Sequence, residues 1–333
     1  MSDYSKTFKA ACVQAEPVWL DLNGSVDKTI ALASEAAAQG AEVVAFPECW
    51  IPGYPWWIWL DSVAWQSQFV VRYAQNSLEL DSPEFERIRQ AAASLGIAIV
   101  LGFSERIGGT LYIAQAFISS SGEVLRTRRK LKPTHVERSV FGDGDGSDLI
   151  VFDSEFGRLG GLCCAEHLQP LTKFAMFSQQ EQLHVAAWPS FSIYPGAAYA
   201  LGPEVNTAAS QQYAVEGQVF VLAPTGMVGQ AAYDLFVDTE QKKELLHLGG
   251  GHARIYGPDG RSLAEPLPPT EEGIIYADID YSAILVAKNA YDPTGHYSRP
   301  DVLRLLFNAA PAARVVRTDH GDKPAIEEPA EPQ

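Results

Sequence analysis

Short apolar runs alternate along the chain with longer stretches whose apolar residues recur at helical spacing. The short runs predict β-strands at Phe8–Gln14, Glu42–Phe46, Ile97–Phe103, Arg158–Cys164 and His184–Trp188. The longer stretches predict helices at Ser25–Gln39, Ser62–Asn76, Pro83–Leu95, Pro170–Glu181 and Glu204–Gly217. This alternation predicts an α/β fold with buried sheets.

Two apolar segments are too close in sequence for a helix to separate them. Leu111–Ser119 and Glu123–Lys130 flank Ser120-Ser121-Gly122, which predicts a β-hairpin. Further strands are predicted at Asp148–Phe152, Gln218–Ala223, Gly251–Gly257 and Gly273–Asp280. The hairpin excludes a purely parallel sheet, because parallel neighbours need a long crossover connection.

No break in composition divides residues 1–310, so we expect a single domain there. Residues 311–333 are rich in Pro, Glu and Ala without apolar periodicity, which predicts a disordered acidic tail.

The chain is strongly acidic, with 25 Lys and Arg against 41 Asp and Glu and a net charge of −16. Such a field repels phosphate, which argues against nucleic acid and anionic membranes as partners. No apolar stretch reaches the ~18 residues that span a bilayer, and the polar N-terminus does not resemble a signal peptide. Four cysteines are too few for a disulfide scaffold, so we expect reduced thiols and a cytoplasmic location.

Several common catalytic motifs do not occur: the G-x-S-x-G elbow, the phosphate-binding loop and the H-E-x-x-H zinc helix. Gly142–Asp148 resembles a calcium loop, but the Gly at its sixth position and the Glu at its twelfth are missing, which favours a tight turn. The seven histidines lack ligand spacing, so we expect no metal and no cofactor.

Three segments carry reactive residues at the ends of predicted strands. In the first, Ala45–Tyr54, Glu48 follows a buried strand and precedes a loop rich in proline and aromatic residues. Apolar neighbours raise the pKa of a carboxyl group and make it a usable general base near neutral pH. The alternative is a Glu that caps the loop in an ion pair.

The second segment, Arg128–Arg138, places five cations within eleven residues of an acidic chain. A solvated basic patch is the usual meaning of such a run. Lys130 alternates to the same strand face as Arg128, and Lys132 lies beyond it, so periodicity does not choose between the two lysines.

The third segment, Leu159–His167, is an apolar strand that ends in Cys163 and Cys164. A thiol where a strand meets a helix lies near helix N–H groups, which favour the thiolate. The alternative is a pair of buried structural cysteines.

Together these segments identify a family. Phe46-Pro47-Glu48, Arg129–Arg138, Cys164-Ala165-Glu166-His167 and Asp292–Asp301 resemble the nitrilase branch of the carbon–nitrogen hydrolase superfamily, and the similarity runs from about Phe8 to about Phe307. The resemblance implies a four-layer αββα sandwich and a cofactor-free enzyme that forms homo-oligomers, with dimers extending to spiral filaments. It also implies a catalytic Glu–Lys–Cys triad and a second carboxylate that orients the lysine, carried here by Glu48, Lys130, Cys164 and Glu137.

The aromatic loops indicate an apolar substrate pocket, with Tyr54, Trp59 and Trp188 as candidates, although core or oligomer contacts would also explain such rings. Many nitrilases carry a bulky residue, often Trp, after the nucleophile, whereas this chain has Ala165. The smaller side chain resembles the arylacetonitrilase subgroup, and we expect it to admit aryl nitriles and to release some amide.

Three other functions fit parts of the pattern. An aliphatic amidase or carbamoylase would use the same triad, but the Lys132–Arg138 run favours the nitrilase branch. A cyanide-hydrolysing enzyme fits less well, because the aromatic loop indicates a larger substrate. A non-catalytic scaffold would have no need to retain all three triad residues.

Overall fold

In the computed structural model, residues 3–313 and residue 315 are described. The strands are β1 (Thr7–Ala15), β2 (Val43–Ala45), β3 (Ala98–Ile107), β4 (Thr110–Ile118), β5 (Val124–Arg129), β6 (Phe152–Ser154), β7 (Gly157–Cys163), β8 (Leu183–Ala187), β9 (Phe220–Ala223), β10 (Thr225–Gly226), β11 (Arg254–Tyr256) and β12 (Gly273–Asp280). The helices are α1 (Leu22–Ala38), α2 (Val63–Asn76), α3 (Pro83–Leu95), α4 (Pro170–Phe177), α5 (Pro203–Gly217), α6 (Gln230–Phe236), α7 (Glu240–Leu245) and α8 (Ser282–Ala290).

The strands form two mixed sheets. The first has the order β10-β1-β2-β3-β4-β5, with β12 antiparallel to β1. Its strands β1, β2 and β3 are parallel, and β3, β4 and β5 are antiparallel neighbours. The second sheet has the order β11-β9-β8-β7-β6, in which β7, β8 and β9 are parallel.

The alternation of side chains along β1 explains the layers. Ala11 and Val13 pack against α1 and α3, whereas Ala10 and Cys12 point into the space between the two sheets. Because successive side chains of a strand face opposite sides, one strand contributes to two cores. On its other face the second sheet packs against α4 and α5. The predicted αββα sandwich is therefore confirmed: α1 and α3, sheet, sheet, α4 and α5.

Where capping signals are clear, the predicted bounds agree with the structure. α3 spans the predicted Pro83–Leu95: the Ser82 hydroxyl accepts a hydrogen bond from the Phe85 N–H, Pro83 occupies the first turn, and Gly96 follows at a φ of +65°. These are the standard signals for the start and the end of a helix.

Turn chemistry accounts for the misplaced elements. The predicted strand Asp148–Phe152 overlaps β6 only at its last residue, because Asp145 and Asp148 cap a short 3-10 helix instead. The predicted helix Pro170–Glu181 ends at Phe177, and Gln180 turns the chain at a φ of +61°. The prediction missed β10, α6, α7 and α8, which are all short.

The predicted tail, residues 311–333, lies outside the described residues apart from 311–313 and 315. Among the described residues, no helix is long and apolar enough to cross a membrane. Over the same residues, no group of three or more His, Cys, Asp or Glu side chains is placed to hold a metal ion.

Candidate active site

Three strand ends bring the predicted triad together. Glu48 follows β2, Lys130 comes directly after β5, and Cys164 comes directly after β7. Glu48 and Lys130 are 2% and 1% exposed. The loop after β2 can approach the sheet closely because β3 carries Gly102 there, where a Cβ atom would lie 2.0 Å from the Pro47 carbonyl oxygen. The Glu48 N–H donates to the Trp188 carbonyl at 3.2 Å, which ties this loop to the second sheet.

Lys130 links two buried carboxylates. Its Nζ lies 2.8 Å from Glu48 Oε1 and 2.8 Å from Glu137 Oε2, and Glu137 is 1% exposed. Buried charges are tolerated in proteins when they are paired and hydrogen-bonded. Glu48 Oε2, by contrast, is buried without a hydrogen-bond partner in the described part of the chain.

Glu137 is held from several directions, so it fixes the position of the lysine. The Tyr54 hydroxyl donates to its Oε1 at 2.6 Å, and the Thr134 N–H donates to its Oε2 at 2.6 Å. The Trp59 indole N–H in turn donates to the Tyr54 hydroxyl at 3.1 Å. A rigid outer set of hydrogen bonds keeps a charged group within the tolerance that catalysis requires.

Burial and the neighbouring charges set the protonation states. Burial raises the pKa of Glu48 to about 8; the Lys130 charge opposes this shift and the Glu137 charge adds to it. Burial would lower the pKa of Lys130, but the two carboxylates hold it well above its usual value, so the ammonium persists. Burial also raises the pKa of the Cys164 thiol well above its usual value, against the effect of Lys130. The thiol therefore needs a base to become a nucleophile.

Cys164 occupies a turn that few residues adopt. Its φ is +48°, in the left-handed region that is unfavourable for a side chain with a Cβ atom, at the start of a short 3-10 helix, Cys164–Leu168. Strained backbone persists only where its surroundings hold it in place, and it concentrates at functional sites. Cys164 is partly exposed, whereas Cys163 beside it is fully buried.

A second buried ion pair holds this turn. Arg128 makes two hydrogen bonds to Glu166, with N···O distances of 2.7 and 3.0 Å. Glu166 also accepts from the N–H groups of Cys163 and Leu131 at 2.7 and 2.8 Å. Burial alone would raise the pKa of Glu166, but Arg128 and these N–H groups hold it below its usual value. The pair thus links Cys163, the residue before Cys164, to Leu131, the residue after Lys130.

The turn opens into an apolar pocket of about 50 Å³ that communicates with solvent. Cys164 and Glu137 lie in its wall. The remaining lining residues are mostly aromatic or aliphatic, among them Tyr54, Trp56, Trp59, Ala165, Leu168, Phe191, Ile193 and Leu201. The predicted substrate-binding residues Tyr54, Trp59 and Ala165 therefore all reach the cavity that contains the thiol.

Trp188, the fourth predicted pocket residue, does not line this cavity. It continues the alternation of β8, in which His184 and Ala186 also face the helical layer. Its ring stacks on His167, with the centroids 5.2 Å apart, and its indole N–H donates to the Ser210 hydroxyl at 2.8 Å. Trp188 contributes to the site through its carbonyl group, and its side chain belongs to the outer core.

The sequence reasoning missed two features of the site. The Arg128–Glu166 pair was not predicted, although the alternation that places Arg128 and Lys130 on one face was a usable signal. Ser190 lines the pocket, is 4% exposed, and has a hydroxyl without a hydrogen-bond partner among the described residues. A serine next to a loop proline carries no signal that distinguishes it in sequence.

The chain matches a known family and several curated proteins. The family model described as carbon–nitrogen hydrolase covers residues 9–288. A nitrilase of Pseudomonas syringae is 58% identical, with 92% of each chain covered. An aliphatic nitrilase of Rhodococcus rhodochrous is 53% identical, over 96% of this chain and 88% of that one. An arylacetone-specific nitrilase of Alcaligenes faecalis is 50% identical, over 98% and 92%.

Solved structures show the same fold at low sequence identity. A carbon–nitrogen hydrolase of Helicobacter pylori superposes with a TM-score of 0.69 at 14% identity, over 90% of this chain and 97% of that one. Family match, sequence identity and fold agree, so the chain belongs to the nitrilase branch of the carbon–nitrogen hydrolase family and is a nitrile-hydrolysing enzyme.

Proposed function

We propose that this enzyme hydrolyses an aryl-bearing nitrile, of the arylacetonitrile type, to a carboxylic acid and ammonia through a covalent intermediate on Cys164. The buried Glu48 carboxylate carries the proposal: its Oε1 pairs with Lys130, and its Oε2 has no partner in the described part of the chain. A carboxylate oxygen with spare capacity and a raised pKa is suited to accept a proton from a thiol or a water molecule.

The first half of the reaction forms a carbon–sulfur bond. Glu48 accepts the Cys164 proton while the sulfur attacks the nitrile carbon, and negative charge develops on the nitrogen. Lys130 stabilises that charge, since a preorganised cation in a dry site contributes far more than the same cation in water. The proton then passes to the nitrogen, which gives a thioimidate.

Two water molecules complete the reaction. Glu48 takes a proton from the first water as it adds to the thioimidate, and the tetrahedral intermediate expels ammonia to leave a thioester. The second water releases the carboxylic acid and restores the thiol, so that one nitrile and two waters give one acid and one ammonia. If the tetrahedral intermediate expels sulfur instead, the product is an amide.

The walls of the pocket favour an aromatic substrate. Tyr54, Trp59 and Phe191 present rings beside the thiol, and rings pack favourably in edge or offset contact. A cavity of about 50 Å³ would take the nitrile group and the adjoining carbon, and Ala165 is a small residue in its wall. The aryl ring would then lie towards the mouth, near Leu168, which is 44% exposed.

Ammonia release from phenylacetonitrile and from phenylacetamide tests the proposal. We expect the wild-type enzyme to act on the nitrile, the Cys164→Ala variant to be inactive, and Cys12→Ala to retain activity, because Cys12 lies between the sheets. Activity on the amide alone would make the chain an amidase. Activity confined to cyanide or aliphatic nitriles would overturn the aryl assignment, and an active Cys164→Ala variant would overturn the mechanism.

We further propose that the enzyme works in the cytosol as a homo-oligomer, with dimers that extend into filaments. All four cysteines are unpaired, which suits a reducing compartment. Leu171 of α4 is 69% exposed, and Val63 and Val71 of α2 are 79% and 64% exposed. Two separate apolar faces would permit both pairing and further growth. Light scattering of the wild type and of Leu171→Glu tests the dimer: an unchanged mass would exclude this face.

A further inference from the structure

A row of buried polar side chains that are not among the residues lining the pocket begins at the Cys164 carbonyl group. His167, His184, Glu181 and Tyr213 are at most 2% exposed. His167 Nδ1 lies 2.8 Å from the Cys164 carbonyl oxygen, and His167 Nε2 lies 3.0 Å from His184 Nε2. His184 Nδ1 lies 2.7 Å from Glu181 Oε1, and the Tyr213 hydroxyl donates to Glu181 Oε2 at 2.7 Å. The row begins at the backbone of Cys164, and its side chains take no part in the proposed proton transfers.

These contacts determine where each proton lies. The Cys164 carbonyl can only accept, so His167 Nδ1 donates to it, and a neutral His167 then has a lone pair at Nε2. His184 Nε2 must therefore donate, which leaves a lone pair at its Nδ1. Glu181 Oε1 faces that lone pair and must supply the proton. Each contact in the row has one donor and one acceptor only when the Glu181 carboxyl group is protonated.

Loss of that proton reverses the direction of the hydrogen bonds that join Glu181, His184 and His167. With Glu181 ionised, His184 Nδ1 donates to the carboxylate and His184 Nε2 accepts from His167 Nε2. A neutral His167 then turns the lone pair of Nδ1 towards the Cys164 carbonyl oxygen, which lies 2.8 Å away. Two lone pairs at that distance repel each other, and an unsatisfied buried acceptor is costly.

The charged and titratable groups around Glu181 favour the protonated form. Burial raises the pKa of Glu181 to about 8, against the hydrogen bond from Tyr213 and the charge of Arg158 on β7. Burial lowers the pKa of His167 to about 3 and that of His184 well below its usual value. The other ionisable groups that act electrostatically on the row are Arg128, Glu166 and Tyr281. Both imidazoles are thus neutral at neutral pH, and the proton is on the carboxyl group.

The carbonyl group at the end of the row belongs to the strained nucleophile. Cys164 has a φ of +48°, so its sulfur is aimed by a backbone conformation that its surroundings must hold. We propose that the hydrogen-bonded chain of Glu181, His184 and His167 positions Cys164 while Glu181 is protonated. Loss of the Glu181 proton removes this support and lowers catalysis. The three side chains are positioning residues and do not touch the substrate. The proposal rests on Cys164 as the nucleophile.

Replacing Glu181 by Gln separates this role from a purely structural one. A Gln carboxamide accepts from Tyr213 through its oxygen and donates to His184 Nδ1 through its nitrogen, so it imitates the protonated acid but does not titrate. The measurement is kcat/KM for the nitrile from pH 7 to pH 10, for the wild type and for Glu181→Gln. We expect similar values at pH 7 and a ratio of variant to wild type that rises about tenfold by pH 9. Both enzymes share the titration of Glu48, so it cancels in the ratio.

A ratio that does not change with pH would overturn the proposal, whatever its size. If Glu181→Gln does not fold, Tyr213→Phe replaces it: the hydroxyl lowers the pKa of Glu181, so its removal should shift the alkaline loss of activity to higher pH. No shift would likewise overturn the proposal. The Cys164→Ala assay at pH 7 is a separate test, because an active Cys164→Ala variant would refute the proposed nucleophile without changing the Glu181 ratio.

Discussion

Two buried cations lie two residues apart at the end of β5, and they do different things. Arg128 and Lys130 are each 1% exposed, and each faces a buried glutamate. Arg128 makes two hydrogen bonds to Glu166 and also donates to Gln115 and the Asp148 carbonyl. Every oxygen of Glu166 is occupied as well, because backbone N–H groups fill the positions that Arg128 leaves.

The Lys130 cluster is incomplete by comparison. Lys130 contacts two carboxylates, and one oxygen of Glu48 has no hydrogen bond in the described structure. The saturated pair has a depressed carboxyl pKa, whereas the unsaturated cluster has a raised one. Burial is alike in the two, but the Lys130 cluster has a second carboxylate and an acceptor oxygen without a partner in the described structure.

The strongest test of this comparison removes the cation of the unsaturated cluster. Lys130→Met should lower kcat/KM for the nitrile by about 10³-fold, because the charge that develops on the nitrogen loses its stabilising cation. Lys132→Met is the matched control: its ion pair with Asp143 is 61% and 50% exposed, so activity should stay unchanged. Retained activity in Lys130→Met would place the stabilising group elsewhere.

Removing the other cation should affect folding more than chemistry. Arg128→Met leaves the Glu166 charge buried without its partner, and we expect the free energy of unfolding to fall by about 3 kcal/mol. Urea unfolding followed by tryptophan fluorescence measures this loss, again with Lys132→Met as the control. A variant as stable as the wild type but inactive would reverse the roles assigned to the two clusters.

Lowering the pH should protonate Glu48 of the Lys130 cluster while the Arg128–Glu166 pair stays ionised. Glu48 must be ionised to act as a base, so kcat/KM should fall tenfold per unit below its pKa of about 8, or about 100-fold by pH 6. The contribution of Glu166 to stability, by contrast, is present above its unfolded pKa and is lost only as the pH falls through its lower, folded value. At pH 6 the protein should thus be folded, with weak activity that returns on neutralisation. Circular dichroism beside the pH–rate profile would show whether activity and folding are lost together.

The smallest expected effect concerns Ala165, which lies between Cys164 and Glu166 in the sequence. Ala165 lines the pocket, and its neighbour Glu166 belongs to the saturated pair. Ala165→Trp should fill space beside the reacting carbon, lower kcat/KM for arylacetonitriles about tenfold and reduce the amide by-product, with little change in stability. Ala165→Val is a smaller control for bulk. Unchanged rates and amide yield in Ala165→Trp would refute the role assigned to this position.

Local patterns predicted much of the site. Strand ends predicted that Glu48 and Cys164 lie at the edges of the sheets, where the structure has them, because an apolar run that stops at a polar residue marks such an edge. Alternation placed Arg128 and Lys130 on one buried face, but it did not separate Lys130 from Lys132; the resemblance to nitrilases did. In the structure Lys132 is exposed and paired with Asp143.

Contacts between distant parts of the chain were not accessible in the same way. Glu166 is 38 residues from Arg128 and Tyr54 is 83 residues from Glu137, and no local pattern encodes such pairs. Trp188 lies outside the pocket wall because its place in the alternation of β8 turns its ring towards the helical layer. His184 was overlooked for a related reason: a single polar residue within an apolar strand does not reveal its partners.

The burial of the cysteines has a consequence for counting active molecules. Cys12, Cys49 and Cys163 are fully buried, and Cys164 is the cysteine with solvent access. A small alkylating reagent should therefore label one sulfur per folded chain and four after denaturation. That stoichiometry would turn alkylation into an active-site titration, in which the labelled fraction of a preparation equals its fraction of competent enzyme.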